Sequence, residues 1–402
     1  MSSMPPISRK ASLFGESVIR AMTRVANKYG AINLSQGYPD WEPPADLLAA
    51  ASEAVRKGPH QYAVTWGAQN FREALAEKQR RFMGLPIDPD ENIVVTCGST
   101  EAMMAAVLAV VDPGDKVVVF SPFYENYQAD ALLSGAVPVC VELRAPDFSF
   151  DPAELDHALS GAKALILCNP ANPTGKVFSR GELLAIARLA EKHDIFVITD
   201  EVYEHIVYAP REHLYFASLP GMFERTISCS SLSKTYSITG WRLGYAIGPS
   251  PVVDAMRKVH DFLTVGAAAP LQEAAVTALR FPDSYYGGLR DLYAGKRELF
   301  LDYLRKAELP HVRPDGAYYV MVDIRGFGAE SDTAFCEWMA REVGVAAVPG
   351  SSFFKGSVSD FVRFHFAKRD ETLREAGSRL VGLHEAWESG RGRAPTARTG
   401  LK

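Results

Sequence analysis

Two ionisable residues that could take part in catalysis follow short apolar segments, at the point where a strand would end. Asp200 comes directly after the run IFVIT, and Lys234 closes the segment SSLSK that follows TISC. A charged side chain at a buried strand end is costly unless it has a partner. A desolvated, neutral lysine is a nucleophile toward aldehydes. Lys234 is therefore a candidate for covalent chemistry with an aldehyde, while helix capping remains the simpler alternative for Asp200.

Two further segments suit a phosphate group. The run NIVVT is followed by Cys97 and Gly98 and then by Ser99 and Thr100, which open a helical pattern. A small turn before a helix presents free backbone N–H groups and the positive end of the helix dipole. Serines also surround Lys234, and Arg242 follows it by eight residues, which favours an anion nearby.

The remaining strand ends supply an aromatic ring, an amide and a phenol. Tyr124 follows KVVVF, Asn172 lies in the NPANPTG segment after KALILC, and Tyr203 follows Asp200. The two Asn-Pro pairs restrict the backbone and predict a stiff loop that holds an amide in place. A ligand with a phosphate, a flat ring with a basic nitrogen, a phenolic oxygen and an aldehyde would use all of these groups. We therefore predict pyridoxal 5′-phosphate as the cofactor.

The apolar segments that carry these residues alternate with helical patterns. Such short, continuous apolar runs predict a mostly parallel sheet covered on both faces, the α/β class. Ligands of such sheets bind beyond the carboxyl ends of the strands. The run LGYAI follows the preceding strand too soon for a helical crossover, so we expect it to be antiparallel. The predicted strands of the sheet are 92–96, 116–120, 163–168, 195–199, 226–229 and 243–247.

The length of 402 residues suggests two or three domains, or one large domain with a satellite. The sequence predicts a large cofactor-binding domain over 45–290 and a smaller α+β domain over 291–388. Strands are expected at 317–323, 346–348 and 361–367, and a helical region over 271–307 with a break at 281–283. Residues 1–44 are predicted to pack with the small domain and cover the site, and 389–402 to form a flexible tail.

Composition excludes several classes of protein. A hydrophobic fraction of 47% and a charged fraction of 23% are typical of a folded chain, and the net charge of −5 provides no basic excess for nucleic-acid binding. The five widely spaced cysteines fit a reducing, cytoplasmic compartment rather than a disulfide scaffold. No apolar run approaches the ~20 residues that cross a bilayer. The nine histidines contain no H-E-x-x-H, so we predict no metal site and no membrane association.

Three motifs, NPANPTG, TDEVYEHIVY and SLSKTYSITGWRLGYAIGP, occur in an order and spacing that resemble the pyridoxal-phosphate-dependent aminotransferases of fold type I, class I/II. The resemblance runs nearly the whole length, from NLSQG to VRF. The segments SQGYPDWEPP and FVRFHFAKRDETL are most similar to the branch containing kynurenine, glutamine and methionine aminotransferases. The resemblance implies a seven-stranded type of sheet in the large domain.

The resemblance also implies residue roles. Lys234 would be the Schiff-base lysine and proton carrier, Asp200 would keep the pyridine nitrogen protonated, and Tyr203 would complete the catalytic set. Asn172 and Tyr203 would reach the phenolic oxygen of the ring, and Tyr124 would stack on it. The residues implied to hold the phosphate are Ser231, Ser233, Arg242, the N–H groups of Ser99 and Thr100, and Tyr62 of the neighbouring subunit. Arg363 would clasp the substrate carboxylate, with the Gly37 backbone and Asn172 nearby.

The implied function is amino-group transfer from an L-amino acid to a 2-oxo acid by ping-pong chemistry, in a homodimer with shared active sites. Tyr38 and Trp41 favour aromatic, methionine-like or glutamine-like substrates. A C–S β-lyase, a decarboxylase or an aspartate-type aminotransferase on the same fold remain alternatives, because the cofactor residues would be identical. A non-catalytic, cofactor-binding regulator is disfavoured by Lys234 and by the acidic net charge.

Overall fold

A computed structural model describes residues 5–391 of the chain. Apart from short 3₁₀ and π turns, the helices of these residues are α1 Val18–Tyr29, α2 Ala45–Lys57, α3 Gln69–Met83, α4 Ser99–Val110, α5 Asn126–Ser134, α6 Pro152–Leu159, α7 Arg180–Lys192, α8 Ser250–Thr264, α9 Ala269–Leu279, α10 Asp283–Lys306, α11 Asp332–Trp338, α12 Asp370–Val381 and α13 Leu383–Arg391. The strands are β1 Ile32–Asn33, β2 Ile93–Thr96, β3 Lys116–Ser121, β4 Val137–Glu142, β5 Ala162–Cys168, β6 Phe196–Asp200, β7 Thr226–Ser231, β8 Gly244–Ile247, β9 Tyr319–Asp323, β10 Val345–Ala346, β11 Val348–Pro349 and β12 Phe361–His365.

A seven-stranded sheet in the order β2-β8-β7-β6-β5-β3-β4 forms the centre of the first of two compact units. Strand β8 is antiparallel to β2 and to β7, while the other neighbours are parallel. The predicted α/β fold and the predicted antiparallel strand are both confirmed. The sequence analysis missed β4, an edge strand that contains Pro138 and has a single buried residue, the others being half-buried or exposed. Proline is tolerated at a sheet edge, but it weakens the pattern that identifies a strand.

The sheet is covered on both faces because its central strands are apolar on both. On β2, Ile93 and Val95 pack in one apolar cluster with Phe71 and Leu75 of α3. Val94, which points to the opposite face, packs in a second cluster with residues of α4 and α8. The carboxyl ends of β2, β5, β6 and β7 are thereby held at fixed positions beneath the loops that follow them.

Within the described residues, the first unit comprises 5–15, 38–292 and 314–317, and the second comprises 16–37, 293–313 and 318–391. The division after 292 lies close to the predicted boundary at 290. Of the predicted N-terminal segment 1–44, residues 16–37 belong to the second unit, whereas residues 5–15 and 38–44 belong to the first. The predicted break within 271–307 is confirmed, because α9 ends at Leu279 and α10 begins at Asp283. Residues 389–391 complete α13, and the rest of the predicted tail lies outside the described residues.

The second unit contains a three-stranded antiparallel sheet in the order β11-β12-β9 and the parallel pair of β1 with β10. Helices α1, α11, α12 and α13 belong to this unit, together with the later part of α10. Arg363 lies in the middle of β12, opposite Met321 of β9 and Val348 of β11. Among the described residues, no helix combines the length and the apolar character needed to cross a membrane.

Candidate active site

Asp200 is the last residue of β6, and its carboxylate is buried. Its Oδ2 accepts a hydrogen bond of 2.7 Å from the Tyr127 hydroxyl, and its Oδ1 accepts one of 3.3 Å from the backbone N–H of Val202. Burial raises the pKa of Asp200, although these two hydrogen bonds and the charge of Lys234 act in the opposite direction. A carboxylate that is desolvated to this degree is stabilised by a cationic partner beside it.

Lys234 lies in the loop that follows β7, the strand next to β6 in the sheet. Its Nζ is 5.9 Å from the centre of the Tyr203 ring, and its charge acts on Asp200. The loop leaves the sheet through Ser231 and Ser233, both buried, with the Ser233 N–H donating to Ser231 Oγ at 3.4 Å. Lys234, Asp200 and Tyr203, which the sequence predicted as a catalytic set, are thus neighbours at the ends of adjacent strands.

Arg242 lies directly against the turn that begins α4. Its Nη1 donates to the carbonyl oxygen of Thr239 at 3.1 Å and its Nη2 to that of Cys97 at 3.5 Å. Two glycines make this approach possible. A Cβ on Gly98 would lie 2.5 Å from Nη2, and a Cβ on Gly244 would lie 2.5 Å from the backbone nitrogen of Ser99.

The first turn of α4 therefore combines two attractions for an anion. No side chain caps the helix at Ser99, and a guanidinium group lies beside its first residues. Uncapped N–H groups at a helix start and an adjacent arginine are a combination typical of phosphate sites. Sequence reasoning identified the turn that contains Gly98, together with Ser99, Thr100 and Arg242. It missed Gly244, whose only signal was its position two residues after Arg242.

Tyr124 and Asn172 lie on the loops after β3 and β5. Tyr124 is half-buried, and its ring meets that of Tyr127 edge-on at 5.8 Å. Asn172 is buried. Its loop is closed by a backbone hydrogen bond of 2.8 Å, which the N–H of Ala171 donates to the carbonyl oxygen of Lys176. Sequence reasoning missed Tyr127, although its spacing of three from Tyr124 places both on one side of a helical turn.

In the second unit, Arg363 is fully buried between two aromatic rings. Its guanidinium carbon is 4.2 Å from the centre of the Tyr319 ring and 4.5 Å from that of Phe353, and its Nη2 donates to the oxygen of Ser35 at 2.9 Å. Gly37 belongs to the same cluster. Its carbonyl accepts a hydrogen bond from the Tyr318 hydroxyl at 2.8 Å, and a Cβ at this position would lie 2.3 Å from the Tyr319 hydroxyl oxygen.

Tyr62 lies in the segment between α2 and α3, and its side chain is 84% exposed. The described chain therefore does not enclose it as it encloses Asp200 or Asn172. The described residues contain no cluster of side chains suited to a metal ion.

The α/β fold with its large mixed sheet is that of the pyridoxal-phosphate enzymes of fold type I. The sequence model of the family "Aminotransferase class I and II" matches residues 29–380. The chain belongs to this family and is an aminotransferase whose cofactor is pyridoxal phosphate and whose substrates are amino acids and 2-oxo acids.

Characterised relatives match over almost the full chain. Methionine aminotransferase of Escherichia coli is 37% identical, covering 93% of this chain and 97% of its own. Kynurenine–oxoglutarate transaminase 3 of Mus musculus is 35% identical, covering 91% and 87%. The three-dimensional structure of N-succinyldiaminopimelate aminotransferase from Mycobacterium tuberculosis superposes with a TM-score of 0.91 at 37% identity, covering 94% of this chain and 100% of that one.

Proposed function

We propose that this aminotransferase acts on large apolar, aromatic or thioether L-amino acids and that Lys234, Asp200 and Tyr203 form its catalytic set. The observation that carries the assignment is the position of a lysine and a buried carboxylate at the ends of the adjacent strands β7 and β6. When bound, pyridoxal phosphate supplies an aldehyde for condensation with amines and a ring that delocalises the electrons left at Cα.

The described residues fit this cofactor. Asp200 is a buried carboxylate that accepts hydrogen bonds from Tyr127 and Val202, and its negative charge beside the ring nitrogen would stabilise a proton there. Lys234 Nζ is the amine that would bind the aldehyde and later hold and move the Cα proton. Tyr203 and Asn172 would reach the phenolic oxygen, and Tyr124 would stack on the ring.

The phosphate would lie at the start of α4. Gly98 and Gly244 leave room for the Arg242 guanidinium beside the uncapped N–H groups of Ser99 and Thr100. Ser231 and Ser233 would add hydroxyl donors from the loop that carries Lys234. A bidentate arginine such as Arg363 suits the substrate carboxylate, and its two aromatic neighbours shield it from water.

The substrate assignment is supported by the relatives named for methionine and kynurenine and by two aromatic residues, Tyr38 and Trp41, that follow Gly37. The test is a panel of amino acids with 2-oxoglutarate and pyruvate as acceptors. We expect higher kcat/KM for methionine, phenylalanine or kynurenine than for aspartate, and equal or better efficiency with aspartate would refute the assignment. Turnover that needs no oxo acid would identify a β-lyase instead.

We further propose a homodimer with shared sites. The segment that carries Tyr62 meets the end of α8 at Thr65, which His260 contacts at 2.8 Å, and both segments carry exposed apolar side chains, with Tyr62 84%, Phe262 92%, Leu263 47% and Val265 45% exposed. Large apolar side chains exposed on neighbouring segments are typical of a protein–protein interface, and the covering partner would be a second copy of the chain. Sedimentation should show a dimer, and mixing the Tyr62→Ala and Lys234→Ala variants should restore partial activity. The cytoplasmic location predicted from the cysteines also stays a proposal.

The role of Lys234 is tested directly by borohydride reduction of the cofactor-loaded protein followed by peptide mapping. The pyridoxyl group should be found on Lys234. Lys234→Ala should fold and lose nearly all turnover, while Lys192→Ala, which changes an exposed lysine, should behave as the wild type. A pyridoxyl group on another lysine, or wild-type turnover in Lys234→Ala, would overturn the assignment.

A further inference from the structure

A buried histidine connects the start of α4 to the segment that carries Tyr62. His260, near the end of α8, is fully buried. Its Nδ1 is 2.6 Å from Oε1 of Glu101 in the first turn of α4, and its Nε2 is 2.8 Å from the carbonyl oxygen of Thr65. One imidazole ring therefore joins α4 to the segment between α2 and α3.

The partners of His260 determine its protonation state. An ionised carboxylate and a backbone carbonyl only accept hydrogen bonds, and a neutral imidazole has one N–H to donate. Both contacts can be made only by an imidazolium. Burial alone would lower the pKa of His260, but the hydrogen bond and the charge of Glu101 raise it above its ordinary value.

Glu101 also binds the turn formed by Cys97 and Gly98 before α4, which is the phosphate-facing turn. Its Oε2 accepts the backbone N–H of Cys97 at 2.5 Å, and its Oε1 also accepts the Thr264 hydroxyl at 2.7 Å. Cys97 is the residue whose carbonyl receives Arg242. The Glu101 carboxylate thus accepts hydrogen bonds both from the turn that leads into Ser99 and from the protonated ring of His260.

The segment after His260 completes the connection. Val265 has φ +67°, a conformation that is strained for a β-branched residue, and Cys97 Sγ is 3.7 Å from the carbonyl of Gly266. A strained residue persists only where its surroundings determine it, and such residues cluster at functional sites. The exposed Phe262 lies on the same helix as His260, and the exposed Tyr62 lies on the segment that His260 contacts through Thr65.

We propose that His260 is a positioning residue that, as an imidazolium, ties the phosphate-facing turn of one subunit to the Tyr62 segment that completes the neighbouring subunit's site. This proposal rests on the proposed dimer with shared sites. When His260 loses its proton, one of its two hydrogen bonds is lost. The weaker acceptor is the Thr65 carbonyl, so the Tyr62 segment is released and cofactor binding weakens.

The charged and titratable groups around His260 are few. Glu101 faces it from α4, and Asp261 and Arg257 belong to its own helix. Cys97 contacts Glu101 from the adjoining turn, and the charge of Arg242 acts on Cys97. The guanidinium carbon of Arg257 lies 5.2 Å from the centre of the Trp66 ring, so its charge is directed toward the Tyr62 segment. Glu101 is the counter-charge in direct contact with the ring, and removing its charge should make the proton of His260 easier to lose.

The experiment compares wild type with His260→Gln, Glu101→Gln and a matched control, His157→Gln, which changes an exposed histidine on α6. The dissociation constant of pyridoxal phosphate is measured by absorbance titration from pH 6 to pH 9. Hydrogen exchange of the peptide covering 61–67 is followed by mass spectrometry. Wild type should bind more weakly and exchange faster as the pH rises through the titration of His260.

Relative to wild type at pH 6, His260→Gln should weaken cofactor binding about tenfold, the size expected for one charged hydrogen bond, and should lack the pH-dependent step. Glu101→Gln should keep the step but move it to lower pH, which a merely structural role would not do. The control should follow wild type. A step of unchanged position in either variant, or unchanged exchange of 61–67, would overturn the proposal.

The direction of the effect is tested in mixed dimers. With His260→Gln placed in the subunit that also carries Lys234→Ala, cofactor binding at the intact partner's site should still weaken. An effect confined to the subunit that carries His260→Gln would refute the connection between sites. If sedimentation shows a monomer at every pH, the proposed dimer itself fails, whereas the exchange of 61–67 still reports whether His260 holds the segment.

Discussion

Replacing Asp130 by asparagine should stabilise the protein, and the gain should grow with pH. Asp130 lies on α5, three residues after Tyr127, and is 4% exposed. Its Oδ2 has no hydrogen-bonding partner within the described part of the chain. Burial, with a smaller contribution from the charge of Asp200, raises the pKa of Asp130 from 3.8 to about 8. The folded protein therefore keeps a proton that the unfolded chain releases above about pH 4.

The sign follows from this difference in bound protons. Between pH 4 and pH 8 the folded state binds more protons than the unfolded state, so the free energy of unfolding falls as the pH rises. The loss is at most about 1.4 kcal/mol for each pH unit, which reaches about 4 kcal/mol at pH 7. An asparagine side chain has a similar shape and no ionisable proton, so the variant should avoid this loss. The free energies of unfolding of wild type and variant should converge near pH 4 and differ most near pH 8.

The assay is urea unfolding of wild type and Asp130→Asn at pH 5, 6, 7 and 8, with and without cofactor. Infrared difference spectra of the two proteins should show a protonated carboxyl group at pH 6. Asp291→Asn, which changes an exposed aspartate on α10, is the matched control and should show no such trend. Stability curves that run parallel for wild type and Asp130→Asn would refute the reasoning, because they would mean that Asp130 is ionised in the folded protein.

Three further outcomes follow from the described contacts. Gly98→Ala should weaken cofactor binding at least about tenfold, measured by absorbance titration, because the new Cβ displaces Arg242 and strains a residue at φ +85°. Arg363→Lys should raise KM for the amino acid about tenfold while leaving the cofactor dissociation constant unchanged; a change in the latter alone would contradict the assignment. Lys78→Met should destabilise the fold by about 3–5 kcal/mol in urea, since it leaves Glu204 buried without its ion-pair partner, and adding Glu204→Gln should recover part of the loss.

The fold class, and the meeting of Asp200 with Lys234 at one edge of the sheet, were predictable from the sequence because both follow from the order and the ends of the strands. Parallel strands place their carboxyl ends at one edge, so Asp200 and Lys234 had to be neighbours once β6 and β7 were identified. The antiparallel β8 was predictable from the short connection alone. The roles given to individual residues stay predictions, since they depend on a bound cofactor.

Features that depend on packing could not be read from the sequence. Gly98 and Gly244 matter because two backbones and a guanidinium meet there, and only coordinates show the missing space for a Cβ. Asp130 sits in a helical pattern where an exposed aspartate would look identical. The division of 1–44 between two units, and the edge strand β4, likewise depend on tertiary contacts rather than on local periodicity.

The reversal of β8 has a further consequence for how this enzyme can change. Gly244 at the start of β8 is paired with Ser231 at the end of β7. Lys234 and Arg242 therefore lie on one short loop at the same edge of the sheet. The distance between these two cationic side chains is thus determined by the length of the loop, and not by how separate parts of the protein pack together. Insertions between residues 234 and 242 should be poorly tolerated, whereas the loop tips away from this edge are the places where the chain can lengthen and diversify.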